Sequence, residues 1–191
     1  MKFIFLVISV FTFSNSIGQL TTNVSWTNET SMPKNEVIYY NKNSKLVWDD
    51  FKGTPNREGI VAALTVSGFG YTANIKTTNG KGELNISVYC YFNLNKSWVK
   101  PEKNTAYILT HEQHHFDISY LAAGIFMDKL QSAVFTAANF KTLIPNIYNE
   151  SCDIMNKMQN DYDVQTKNGQ IKDEQIRWNA LIDSQLASST N

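Results

Sequence analysis

The sequence predicts an α+β domain, with a mostly antiparallel sheet first and three helices after it. Two changes along the chain predict it. Leu84, Ile86, Val88, Cys90 and Phe92 alternate with Asn85, Ser87, Tyr89 and Tyr91, the period of a strand with one buried face. Beyond Ser97-Trp98-Val99 the period becomes helical and the apolar residues cluster as in a packed helix, from Tyr107, Ile108 and Leu109 through Phe116, Leu121, Ile125 and Leu130. At 191 residues the chain suits one domain with a sizeable core.

Residues 1–18 read as a signal peptide. Lys2 gives a positive start, residues 3–13 form an apolar run too short to span a bilayer comfortably, and Ser16-Ile17-Gly18 supplies small residues for a signal peptidase. Cleavage after Gly18 is expected, giving a secreted or periplasmic protein with no stable membrane insertion. Residues 19–35, polar and rich in Thr, Asn and Ser, read as a flexible lead-in. The domain is expected over residues 36–188.

Within it, Val37-Ile38-Tyr39-Tyr40 and Leu46-Val47-Trp48 read as short strands, and residues 49–55 as the turn that follows. Residues 60–71 and 84–92 are the next strands, with a turn at Asn79-Gly80-Lys81-Gly82 before the second. A long helix is expected from about residue 105 to about residue 137. Pro145 marks the connection to a second, at about 146–161, and an Asn168-Gly169 turn precedes a third, at about 172–186. In an exported protein Cys90 and Cys152 are either one bridge from sheet to helix or two separate thiols. Charge is balanced at 17 basic against 17 acidic residues with no basic cluster, which argues against nucleic acid or an anionic membrane as partner.

All three histidines fall in Thr110-His111-Glu112-Gln113-His114-His115-Phe116-Asp117, which contains HExxH. Residues four apart on a helix share a face, so His111 and His115 can direct ring nitrogens at one ion. Glu112 is then set beside the ion, where it can take a proton from a bound water. His114 points elsewhere and is read as a bracing or surface residue. Asp117 is a candidate acceptor for a ligand histidine. Catalytic zinc takes three protein ligands and a water, and no further histidine exists. The third ligand is therefore sought among Glu150, Asp153, Asp161, Asp163 and Asn168.

These residues belong to a wider pattern. Trp48, Phe51 and Gly53 form W-x-x-F-x-G; Ser97-Trp98-Val99, the extended core His111-Glu112-Gln113 and His115-Phe116-Asp117-Ile118, and the block Tyr162-Asp163, Thr166, Gly169, Gln175 and Trp178 follow in order. In this the chain resembles the domain of unknown function 922 family, secreted bacterial proteins predicted to be zinc-dependent proteases. The likeness runs over residues 45–186. It implies a zincin-like fold and a Zn2+ site of His111, His115 and, for preference, Asp163, with Glu150 and Asn168 as alternatives. Asn168 stands where that family's pattern carries a histidine. The resemblance further implies a metallopeptidase that hydrolyses peptide bonds of a peptide or protein substrate through a zinc-bound water. Glu112 is then the general base, and the Tyr162 hydroxyl is a candidate for the developing oxyanion. The second reading is a catalytically inactive domain of the cell envelope that keeps the helix for binding or structure.

Overall fold

Strand β5, Lys81–Asn93, holds the sheet together because both its edges are paired and one of its faces is buried. The computed structural model describes residues 18–78 and 81–189. The expected signal segment up to residue 17, and Asn79 and Gly80 of the expected turn, lie outside them. One edge of β5 pairs antiparallel with β4, Ser67–Thr78, along its whole length, from Ser67 opposite Phe92 to Thr78 opposite Lys81. The other edge takes two short strands in succession. β1, Thr21–Trp26, runs parallel to Glu83–Val88, and β2, Val37–Tyr39, runs antiparallel to Tyr91–Asn93. The inner face carries the alternating residues: Leu84, Ile86, Val88 and Phe92 are fully buried and Cys90 nearly so.

The sheet is mostly antiparallel, as expected, and is made mixed by the parallel pairing of β1. The flexible lead-in is corrected. Leu20 is buried, its N–H donates to the Phe135 carbonyl at 2.8 Å, and Val24 packs on the core. Pairing with β5 supplies the order that a Thr- and Asn-rich segment does not announce. Leu46-Val47-Trp48 is not a strand, because its backbone is held from elsewhere. The Leu46 N–H donates to Gln113 Oε1 and that of Val47 to Asp50 Oδ2, both at 2.8 Å, and Trp48–Asp50 is a single 3-10 turn. The run from residue 60 divides into β3, Ala63–Leu64, and the start of β4; β3 pairs antiparallel with β6, Trp98–Val99.

Three helices follow. α1, Ala106–Ser132, begins at Thr105, whose hydroxyl accepts the Ile108 N–H, and ends earlier than expected because Val134-Phe135-Thr136 turns back to meet Gln19 and Leu20. α2, Phe140–Thr166, begins earlier than expected. Pro145 lies inside it, in the second turn, where its missing N–H costs one hydrogen bond to the Lys141 carbonyl. α3 is Lys172–Ser188. Among the described residues no helix is long and apolar enough to cross a membrane.

α1 is enclosed. Phe116, Ala122, Phe126 and Leu130 pack on the sheet with Ile86, Val88 and Phe92, while Ile118 and Leu121 pack with Tyr162, Trp178 and Ile182 of α2 and α3. Cys90 and Cys152 stand as separate thiols, the first pushed up in pKa by burial. Because Leu20 fills the core beneath β1, Leu20→Ala is expected to cost about 2–5 kcal/mol, read as a lower urea midpoint with an unchanged slope. A flexible lead-in would leave the midpoint where it was.

Candidate metal centre

Enclosure on both sides leaves the polar residues of α1 buried: His111, Glu112, Gln113, His114 and Asp117 are each less than a tenth exposed. They divide between two faces. On the face toward α2 and α3, His111 and His115 turn their Nε2 atoms together, 3.3 Å apart. Asp163, near the end of α2, places Oδ1 3.2 Å from His111 Nε2 and 3.1 Å from His115 Nε2. The three atoms form a nearly equilateral triangle. Donors spaced tetrahedrally at 2.0–2.1 Å from an ion lie about 3.3–3.4 Å apart, so the triangle has the size of one face of such a shell. His111, His115 and Asp163 could therefore hold a metal ion together.

The surroundings favour a positive charge at that point. Asp163 Oδ1 is shielded from solvent and faces the two Nε2 atoms, either of which donates to it when it carries a proton. Burial works against the Asp163 carboxylate, but the two histidines beside it outweigh burial and hold its pKa well below the usual carboxylate range. Burial likewise opposes charge on His115; contact with Asp163 and the charges of Glu112 and Asp163 overcome it, and the pKa is raised. The outer nitrogens are engaged as well. His111 Nδ1 is 2.8 Å from Gln175 Oε1, and His115 Nδ1 is hydrogen-bonded to Gln159 Oε1.

The chain after Asp163 is shaped to close on the site. Lys167, Asn168 and Gly169 all have positive φ, and the Asn168 N–H returns to the Asp163 carbonyl at 2.8 Å. Gly169 has φ +76°, a conformation that favours glycine, and it lies against the His111 ring, where a Cβ would stand 3.4 Å from Nδ1. The Gly169 carbonyl then accepts the Tyr107 hydroxyl at 2.6 Å, tying this turn to the start of α1.

The opposite face of α1 has another purpose. His114 Nδ1 lies 3.0 Å from Asp117 Oδ2, while Tyr40 Oη and Gln113 Nε2 each donate to Asp117 Oδ1 at 2.8 Å. Asp117 thus braces His114 and the loop before the 3-10 turn; the expectation of Asp117 as acceptor for a ligand histidine is corrected. His114 is buried and turned away from the ion site. Burial opposes the Asp117 charge, but His114, Lys45, Gln113 and Tyr40 together lower its pKa.

A groove of about 690 Å³ opens over the metal-site face. His111, Glu112, His115 and Asp163 lie at its floor, and residues 60–67, including β3, form one wall. Ile60, Val61, Leu64, Ile108 and Met155 make much of its lining apolar. Glu112 borders it from the position next to His111, with no side-chain hydrogen bond from the described residues.

Of the acidic third-ligand candidates, Asp163 alone joins the histidines. Glu150 is exposed and paired with Lys129 at 2.9 Å, Asp161 is paired with Lys157 at 2.5 Å, and Asp153 is exposed. Asn168 lines the same groove. Tyr162 is fully buried: its hydroxyl donates to the His111 carbonyl at 3.3 Å and accepts from Gln175 at 2.6 Å, so it is not available to an oxyanion. Sequence reasoning missed Gln159 entirely and gave Gln175 no role; an uncharged amide leaves no pattern to read.

No protein-family model, no curated protein and no solved structure matches the chain.

The Asp117 cluster predicts acid sensitivity. Its folded pKa lies below the ordinary value of 3.8, so its stabilisation is present above that value and is lost as pH falls through the folded one. Asp117→Asn is expected to cost about 1–3 kcal/mol at neutral pH and to flatten the decline on acidification, measured by urea unfolding across the acid range. Asp163 contributes with the same sign and keeps a residual slope.

Proposed function

We propose that the protein is a zinc-dependent metallopeptidase of zincin-like type, acting outside the cytoplasm as a secreted or periplasmic enzyme. The observation that carries this reading is the triangle of His111 Nε2, His115 Nε2 and Asp163 Oδ1 at the floor of a groove, with Glu112 beside it. Two imidazoles and one carboxylate are a donor set that suits zinc, and three protein ligands leave a position open. Zinc bound there would polarise a carbonyl and lower the pKa of a coordinated water from 15.7 to about 7.

The chain's own residues account for the rest. Glu112, buried in the groove floor, accepts the proton of the water that attacks the scissile carbonyl and returns it to the departing amine. The β3 wall suits an extended peptide. The Lys100 N–H bonds the Ala62 carbonyl and Leu64 lies opposite Trp98, so the backbones of Ala62 and Leu64 face β6. In an antiparallel pair the intervening residues face the other way, which leaves Ala63 and Thr65 presenting N–H and C=O groups on the free edge. An added strand can use them, with apolar side chains received by Leu64, Ile108 and Met155.

Glu112→Gln is expected to lower turnover of a fluorogenic peptide by about 10²–10⁴-fold without releasing metal. Chelation should remove the activity of the wild type, and added zinc restore it. Turnover that survives in Glu112→Gln removes Glu112 from the chemistry. A wild type that holds zinc yet cleaves no peptide in a broad library supports an inactive binding or structural domain instead.

A further inference from the structure

We infer that Gln159 and Gln175 are positioning residues that hold the proton of each site histidine on Nδ1, so that both Nε2 atoms face the ion as bare donors. The inference deepens the metal reading of the site and rests on it for its purpose, though not for its geometry. A neutral imidazole carries one proton, on either nitrogen. Asp163 Oδ1, an anionic acceptor 3.1–3.2 Å from both Nε2 atoms, draws that proton inward. A proton there would pair with the carboxylate and cover the lone pair that a metal needs.

The two glutamines oppose that pull because neither can turn its amide over. Gln159 Nε2 donates to the His115 carbonyl at 2.8 Å and lies 3.4 Å from Ser119 Oγ. A carbonyl cannot donate, so the NH2 group is assigned to that side and Oε1 must face His115 Nδ1. Gln175 is held by a longer chain. The Tyr162 hydroxyl gives its hydrogen to the His111 carbonyl and therefore accepts from Gln175 Nε2, which also meets Asn179 Oδ1 at 2.6 Å. Its Oε1 is left to face His111 Nδ1 at 2.8 Å. Each amide oxygen can only accept, so each Nδ1 must donate.

The chemistry of the brace also matters. An amide oxygen fixes the tautomer without adding charge, so the three donors bring only the single negative charge of Asp163. The carboxylate that could have done the same work, Asp117, is committed to His114 on the far face. A divalent ion held by this set keeps net positive charge, as a Lewis acid requires.

The test is the imidazole nitrogen NMR spectrum of the metal-free protein at a pH that deprotonates both rings, with zinc affinity measured by chelator competition. The wild type is expected to show His111 and His115 with the proton on Nδ1. Gln159→Met should move the His115 proton to Nε2, Gln175→Met should do so for His111, and each should weaken zinc about 10–100-fold. Gln159→Glu, which keeps an oxygen opposite Nδ1, should retain the wild-type tautomer. Protons on Nε2 in the wild type, or on Nδ1 in folded Met variants, would overturn the inference. The wild-type spectrum decides even if a variant fails to fold. Nδ1 protons in a wild type that takes up no zinc would support the tautomer assignment and remove the metal reading.

Discussion

The enclosure of α1 governs the rest of this structure. A helix covered by a sheet on one side and by two helices on the other gives its polar side chains little water outside the groove. A buried polar group without a partner costs about 1–3 kcal/mol. Five consecutive-turn residues, His111, Glu112, Gln113, His114 and Asp117, are nonetheless buried there. The neighbouring segments are arranged to meet them. The loop from Tyr40 to Leu46 closes over Gln113 and Asp117, and α2 and α3 bring Gln159, Tyr162, Asp163 and Gln175 against the two site histidines.

The two faces of the helix balance differently. Behind it, donors and acceptors match: Asp117 accepts from Gln113, His114 and Tyr40, and Lys45 lies 3.5 Å away. In front, His111 Nε2, His115 Nε2 and Asp163 Oδ1 converge on one point, and the carboxylate oxygen has the two imidazoles as its polar neighbours. The three atoms on that side could hold a metal ion together. The aromatic frame keeps that point in place, since the Tyr162 ring stacks on His111 at 4.6 Å and meets His115 edge-on at 5.0 Å.

What could be read from the sequence follows from how local each signal is. The alternation of Leu84 to Phe92 and the four-residue spacing of His111 and His115 are properties of single elements, and both were legible. β1 was not, because its order comes from pairing with residues some sixty positions away. The start of α2 was hidden by Pro145, which ends helices in isolation but is tolerated where the cost is one bond. Asp163 was one of several acidic candidates on the residues alone, and only the family likeness favoured it. Tyr162 was given to the oxyanion because a sequence does not show that its hydroxyl is already committed to Gln175 and His111.

The central claim is that three atoms from two helices form one face of a metal shell. Anomalous diffraction at the zinc edge from a crystal grown with zinc tests it most directly. The account predicts a single peak about 2.0–2.2 Å from His111 Nε2, His115 Nε2 and Asp163 Oδ1, with both Nδ1 atoms still on their glutamines. No peak, or a peak held by Glu150 or Asn168 in place of Asp163, would contradict it.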